Sequence, residues 1–143
     1  MNMEIDEYGR MYVVEMKGVP FDQSGTGSLK ILTDTNGDGI LDQSSIFADS
    51  LIMSSGVMRW KKGLLVTDSP QVYYFEDVDE DNKADIRKII LRGFDSTDHD
   101  YNINNPLLRL DNWIYLANGK PSKNNINYPD KANAVQHRRR PAV

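Results

Sequence analysis

The chain has 143 residues, 17 basic and 21 acidic, with 39% hydrophobic and 9% aromatic side chains, enough for about one domain at ~100–200 residues per domain and too aromatic for a wholly disordered chain. No apolar run approaches the roughly 18–20 residues of a membrane-spanning helix, and residues 1–8 lack the basic and apolar regions of a signal peptide. The absence of cysteine excludes disulfides, thiolate metal sites, a cysteine nucleophile and covalently attached haem, so no haem is expected in this chain.

In chain order, short alternating apolar runs bounded by Gly, Asn, Asp and Pro predict strands at residues 3–6, 11–16, 29–33 and 45–48. A second set follows at 57–60, 64–67, 71–76 and 86–91, and a third begins at 107–110 and 113–117. No window carries a helical stripe, so the expectation is all-β. The turns between the first two strands of each set, Asp6-Glu-Tyr-Gly-Arg10, Trp60-Lys-Lys-Gly63 and Asp111-Asn112, suit tight hairpins. Trp60 and Trp113, beside those hairpins, are read as core.

The sets are echoes of one another. Asp34-Thr-Asn-Gly-Asp-Gly-Ile-Leu-Asp42 returns as Asp77-Val-Asp-Glu-Asp-Asn-Lys-Ala-Asp85 at an offset of 43, and Glu15, Asp68 and Asn118 close the second strand of each set at offsets of 53 and 50. A four-stranded antiparallel unit repeated every ~40–50 residues predicts propeller blades. The blades span 1–50, 51–94 and the start of a third over 95–119, and 120–143 is a basic tail expected to be disordered. Rings close with ~4–8 blades, so the fold expected is a partial β-propeller of about two and a half blades. Its uncovered blade faces predict self-association.

The acidic loops carry the chemistry that spacing alone suggests. Oxygen ligands at loop positions 1, 3, 5 and 9 wrap a hard cation, and a Gly at position 6 allows the sharp turn. Asp34, Asn36, Asp38 and Asp42 with Gly39 match every position; Asp77, Asp79, Asp81 and Asp85 match with Asn82 in place of the Gly. Position 12 is Ser45 or Lys88 rather than Glu, and the flanks are strands, so structural calcium in strand-loop-strand sites is expected rather than an EF-hand. In a meander these loops fall at the sheet edge opposite Glu15, Asp68 and Asn118, the channel-mouth candidates. The loop of residues 94–105 joins that second edge; its His99, among Asp95, Asp98 and Asp100, is the one catalytic candidate, because neighbouring carboxylates raise a histidine pKa.

Charge is unevenly spread, with 11 basic and 20 acidic side chains in residues 1–119 against six and one in 120–143. So acidic a body repels phosphates, and no nucleic-acid partner is expected. Membrane insertion by this chain is not expected either.

Gly9-Arg-Met-Tyr-Val-Val-Glu-Met16, Lys30-Ile-Leu-Thr-Asp-Thr-Asn-Gly-Asp-Gly-Ile-Leu-Asp42, Gly63-Leu-Leu-Val-Thr-Asp68, Tyr73-Tyr-Phe-Glu-Asp77 and Leu110-Asp-Asn-Trp-Ile-Tyr-Leu-Ala-Asn-Gly119 together resemble the N-terminal propeller of bacterial membrane-bound dehydrogenase-domain proteins, often named for a planctomycete-type haem-binding domain. That group is distantly similar to glucose and sorbosone dehydrogenases, which use pyrroloquinoline quinone. The resemblance implies a truncated piece of a secreted or periplasmic oxidoreductase-like propeller, acting in full-length relatives on a small sugar or polyol, with pyrroloquinoline quinone as the implied cofactor. In family members a His tends to precede the Leu-Asp-Asn-Trp run; here 101–106 holds none and His99 is nearest. The alternative is a calcium-loop β-repeat binding module of the integrin-like type, without catalytic activity.

Overall fold

The computed structural model describes residues 2–17, 24–96, 102–119 and 126–127. Ten strands form three antiparallel sheets, and no helix occurs among the described residues, so none there is long and apolar enough to cross a membrane. Sheet 1 is the meander β1 (Met3–Ile5), β2 (Met11–Glu15), β3 (Gly27–Thr33) and β4 (Gln43–Leu51). Sheet 2 repeats it with β5 (Ser54–Trp60), β6 (Gly63–Asp68), β7 (Gln71–Glu76) and β8 (Ile86–Arg92). Sheet 3 is the hairpin β9 (Asn104–Leu108) and β10 (Ile114–Ala117).

Alternation along these strands sorts their side chains onto two faces, because successive residues of a strand point to opposite sides. Tyr12, Val14, Leu29, Ile31 and Phe47 of sheet 1 pack against Val57, Leu64, Val66 and Phe75 of sheet 2 in one core. The intervening residues of sheet 2, Met58, Leu65 and Val72, pack with Leu91, Phe94 and Ile103 in a second core that Ile114 and Leu116 of sheet 3 adjoin. Sheet 2 is therefore apolar on both faces, and every residue of β6 is buried. The first strands meet in turn, β1 against β5 and β5 against β9. Gly56 permits the second contact: a Cβ there would lie 2.6 Å from Pro106 Cδ and 2.9 Å from Thr67 Oγ1.

Polar contacts fix the seam between sheets 1 and 2. Val57 N donates to Asn2 Oδ1 at 3.1 Å and Arg59 N to Glu4 Oε1 at 3.3 Å, while Arg59 Nη2 reaches both oxygens of Glu7 at 2.9 and 3.0 Å. At the outer strands, Arg87 donates to the carbonyls of Asp49 and Ser50, and Ala84 N donates to Phe47 O at 2.9 Å.

Two expectations change. The tail is not structureless throughout: Ile126 is 3% exposed within the second core, and Asn127 exchanges both backbone hydrogen bonds with Arg92 at 3.1 Å, so a returning segment pairs with the end of β8. Its apolar contact is a lone isoleucine between polar residues, a pattern with no periodicity to read. Trp113 is not core but 70% exposed, because it lies in the hairpin turn immediately before β10 and not in the strand.

Candidate functional site

The acidic loops join β3 to β4 and β7 to β8, and they lie on the same edge as the β1–β2 hairpin. In the first loop, Asp34 accepts backbone N–H bonds from Asn36, Gly37 and Gly39 at 3.1, 2.7 and 2.7 Å. Those donors, with Gly39 and Gly37 foremost, hold its carboxyl below the usual value. Asn36 and Asp38 each cap the amide two residues on, and Asp42 takes both the hydroxyl and the backbone N–H of Thr35, which likewise lower its pKa. Gly37 and Gly39 sit at φ of 78° and 86°, the left-handed region this tight loop requires.

The second loop has the same Asx turns with a different outcome. Asp77 Oδ2 accepts from Asn82 N at 2.9 Å, Asp81 Oδ1 from Lys83 N at 2.8 Å, and Asp85 Oδ2 from Val78 N at 2.7 Å. Asn82 takes φ 68°, so it serves where the first loop has Gly39. Asp77, Asp79 and Asp85 each bring a carboxylate oxygen within 4.8 Å of the other two; Asp34, Asp38 and Asp42 form no such group among the described residues. The loops differ at the third position, where the first has the amide of Asn36 and the second the carboxylate of Asp79. Thr35 also donates its hydroxyl to both oxygens of Asp42, whereas its counterpart Val78 has none. Asp77 Oδ1 is buried without a protein hydrogen-bond partner. Three carboxylates at this separation repel one another, and a cation would offset that repulsion.

A buried polar network missed by motif reading supports this edge. Arg10 Nε donates to Asp6 Oδ2 at 2.7 Å, the Asp6 side chain being fully screened from solvent, and Asp6 Oδ1 accepts from the backbone N–H of Tyr8 and Arg10 at 2.9 Å. Burial pushes the Asp6 carboxyl up, but the Arg10 guanidinium and those two amides outweigh it and leave it below 3.8. Burial likewise pushes the neighbouring Tyr12 hydroxyl up to about 12. Arg10 Nη1 then reaches Asn82 Oδ1 at 3.1 Å, tying the second acidic loop to sheet 1. Only the Asp at the start of a hairpin hinted at this in the sequence; the partner lies 72 residues away.

At the opposite edge, Glu15 and Asp68 end β2 and β6, and Asn118 follows β10 directly. Their surroundings differ. Glu15 accepts from Ser28 Oγ and Lys30 Nζ at 3.1 and 3.2 Å and pairs with Lys17 at 3.5 Å, with Lys30 first among the causes that lower its pKa. Asp68, 2% exposed, is occupied by the turn after β4: Met53 N at 2.7 Å, Ile52 N at 2.9 Å and Ser54 Oγ at 3.0 Å. Burial nevertheless raises its pKa. Ser69 Oγ and Asn102 Oδ1 are buried close by in sequence to this edge without protein partners. Asp98, His99 and Asp100 lie outside the described residues.

These residues do not fit a polycarboxylate quinone by themselves. Glu15 and Asp68 carry the wrong charge for its carboxylates, and Lys17 and Lys30 are engaged by Glu15. No curated protein and no solved structure matches the chain. A family model described as Domain of unknown function (DUF7133) matches residues 1–142, and the chain belongs to that family.

Proposed function

We propose that the chain forms consecutive blades of a β-propeller of the glucose and sorbosone dehydrogenase-like class, with calcium bracing its acidic loops. The observation that carries the propeller reading is the recurrence of one packing rule. Alternate residues of β2 turn toward sheet 2, the corresponding residues of β6 turn toward sheet 3, and the first strands of the three sheets touch in succession. Stacked meanders that each cover one neighbour and present a second face are the building plan of a propeller.

Calcium is supported first at the second loop, where Asp77, Asp79 and Asp85 converge and Asp77 Oδ1 offers a buried oxygen. Its role there is structural, since this edge lies across the sheets from Glu15, Asp68 and Asn118. The oxidoreductase role, the sugar or polyol substrate and a periplasmic or extracellular location rest on the resemblance of the strand and loop segments quoted above. A dye-reduction assay with sugars and polyols as donors, with and without added pyrroloquinoline quinone, tests that role. Donor-dependent reduction supports it; silence from a calcium-loaded, folded chain favours the non-catalytic binding module.

A further inference from the structure

Among the described residues two apolar sheet faces are uncovered, and they are the two halves of an interface that the chain already makes twice. Cross-strand partners share a face. Met3 pairs with Val13, Ile5 with Met11 and Met11 with Leu32, which puts all five on the side of sheet 1 turned away from sheet 2. Met11, Val13 and Leu32 correspond by strand position to Leu64, Val66 and Phe75, the very residues that sheet 2 lays on sheet 1. Met3 and Ile5 are 55% and 57% exposed, so among the described residues no sheet covers the same kind of face here.

The other half lies on sheet 3. Leu108 pairs with Ile114, which adjoins the second core, so the intervening pair Leu107 and Tyr115 faces away from sheet 2. By strand position Tyr115 corresponds to Tyr12 and Leu65, which each cover the following sheet, and both Leu107 and Tyr115 are exposed. A hairpin arginine stands at the loop edge in both cases. Within the chain, the loop of sheet 2 meets a hairpin arginine of sheet 1 through Asn82 and Arg10. The first acidic loop projects from sheet 1 on the equivalent side, and Arg109 begins the hairpin of sheet 3, its guanidinium over the Tyr115 ring at 5.3 Å.

We propose that a second copy of the chain covers the outer face of sheet 1 with the outer face of its sheet 3, repeating head to tail the sheet-on-sheet packing found within each chain. The contact is heterologous, using different surfaces on the two partners, so each copy keeps one of each free for further association or ring closure. It requires neither calcium nor a dehydrogenase role.

Light scattering across a range of micromolar concentrations, with two variants, tests this. The unaltered chain gives a mass that rises with concentration. Ile5→Lys blocks the outer face of sheet 1 and Leu107→Lys that of sheet 3; each is expected to be monomeric alone, and an equal mixture is expected to form a one-to-one pair through the two intact faces. Should either variant lose its cooperative melt, Met3→Lys and Tyr115→Lys put the same question to the neighbouring side chains. A monomer at every concentration overturns the proposal, and so does Leu107→Lys assembling like the parent, which would mean that sheet 1 pairs with itself or that another partner covers it.

Discussion

Arg10 Nη1 and Asn82 Oδ1 meet at 3.1 Å across the seam between sheets 1 and 2, while the same guanidinium holds Asp6 through Nε at 2.7 Å. One side chain thus joins a buried carboxylate to the left-handed residue at the turn of the second acidic loop. Arg10→Ala removes the charged partner of Asp6 and the tether of Asn82 together, and is expected to cost about 1.5–3 kcal/mol, the range for hydrogen bonds to charged groups. Urea unfolding measures it. Arg10→Lys should recover only part, because a single ammonium cannot serve both oxygens in this fixed geometry.

Asp6 and Asp68 oppose each other in pH dependence. The folded Asp6 carboxyl lies below 3.8, so the stability that it contributes is fully present above that pH and is lost as pH falls through the folded value. Asp68 lies above 3.8 when folded, so its contribution is greatest below 3.8 and declines as pH rises through the folded value. Urea midpoints from pH 3 to 7 should fall on the acid side less steeply in Asp6→Asn than in the parent. An acid-side slope in Asp6→Asn equal to or steeper than the parent's would contradict this assignment.

The two-faced burial of sheet 2 predicts an asymmetry between aliphatic truncations. Leu65→Ala opens a cavity in the second core and is expected to cost about 2–5 kcal/mol. Ile5→Ala, on the open face of sheet 1, should change monomer stability by no more than about 0.5 kcal/mol. Equal effects, measured by urea unfolding at concentrations where no association is seen, would contradict the assignment of faces.

Much of the fold was legible because strands with one or two apolar faces advertise their period. β7 runs over Gln71–Glu76, the span that alternation predicts, and the other nine strands fall within a few residues of their expected places. β4 outruns its prediction at both ends, since Gln43, Ser44, Asp49 and Ser50 are exposed and polar yet still pair with β3 or extend the strand. The candidate site was legible only as a composition. The first loop matches the ligand pattern more closely, with Gly39 in the required place, but the second loop gathers three carboxylates, because its third position is Asp79 where the first loop has Asn36. The Arg10 tether needed two sheets to be placed against each other, and no local pattern encodes that.

Thermal unfolding of the chain in excess calcium and again in chelator tests the central claim most directly, with Asp85→Asn beside the parent. A ligand bound only by the folded state at ~100 times its Kd adds about 2.7 kcal/mol. A calcium-braced propeller segment predicts a melting temperature several degrees higher with calcium, and most of that rise lost in Asp85→Asn. A cooperative melt with the same midpoint in calcium and in chelator would contradict it and reduce both acidic loops to turns.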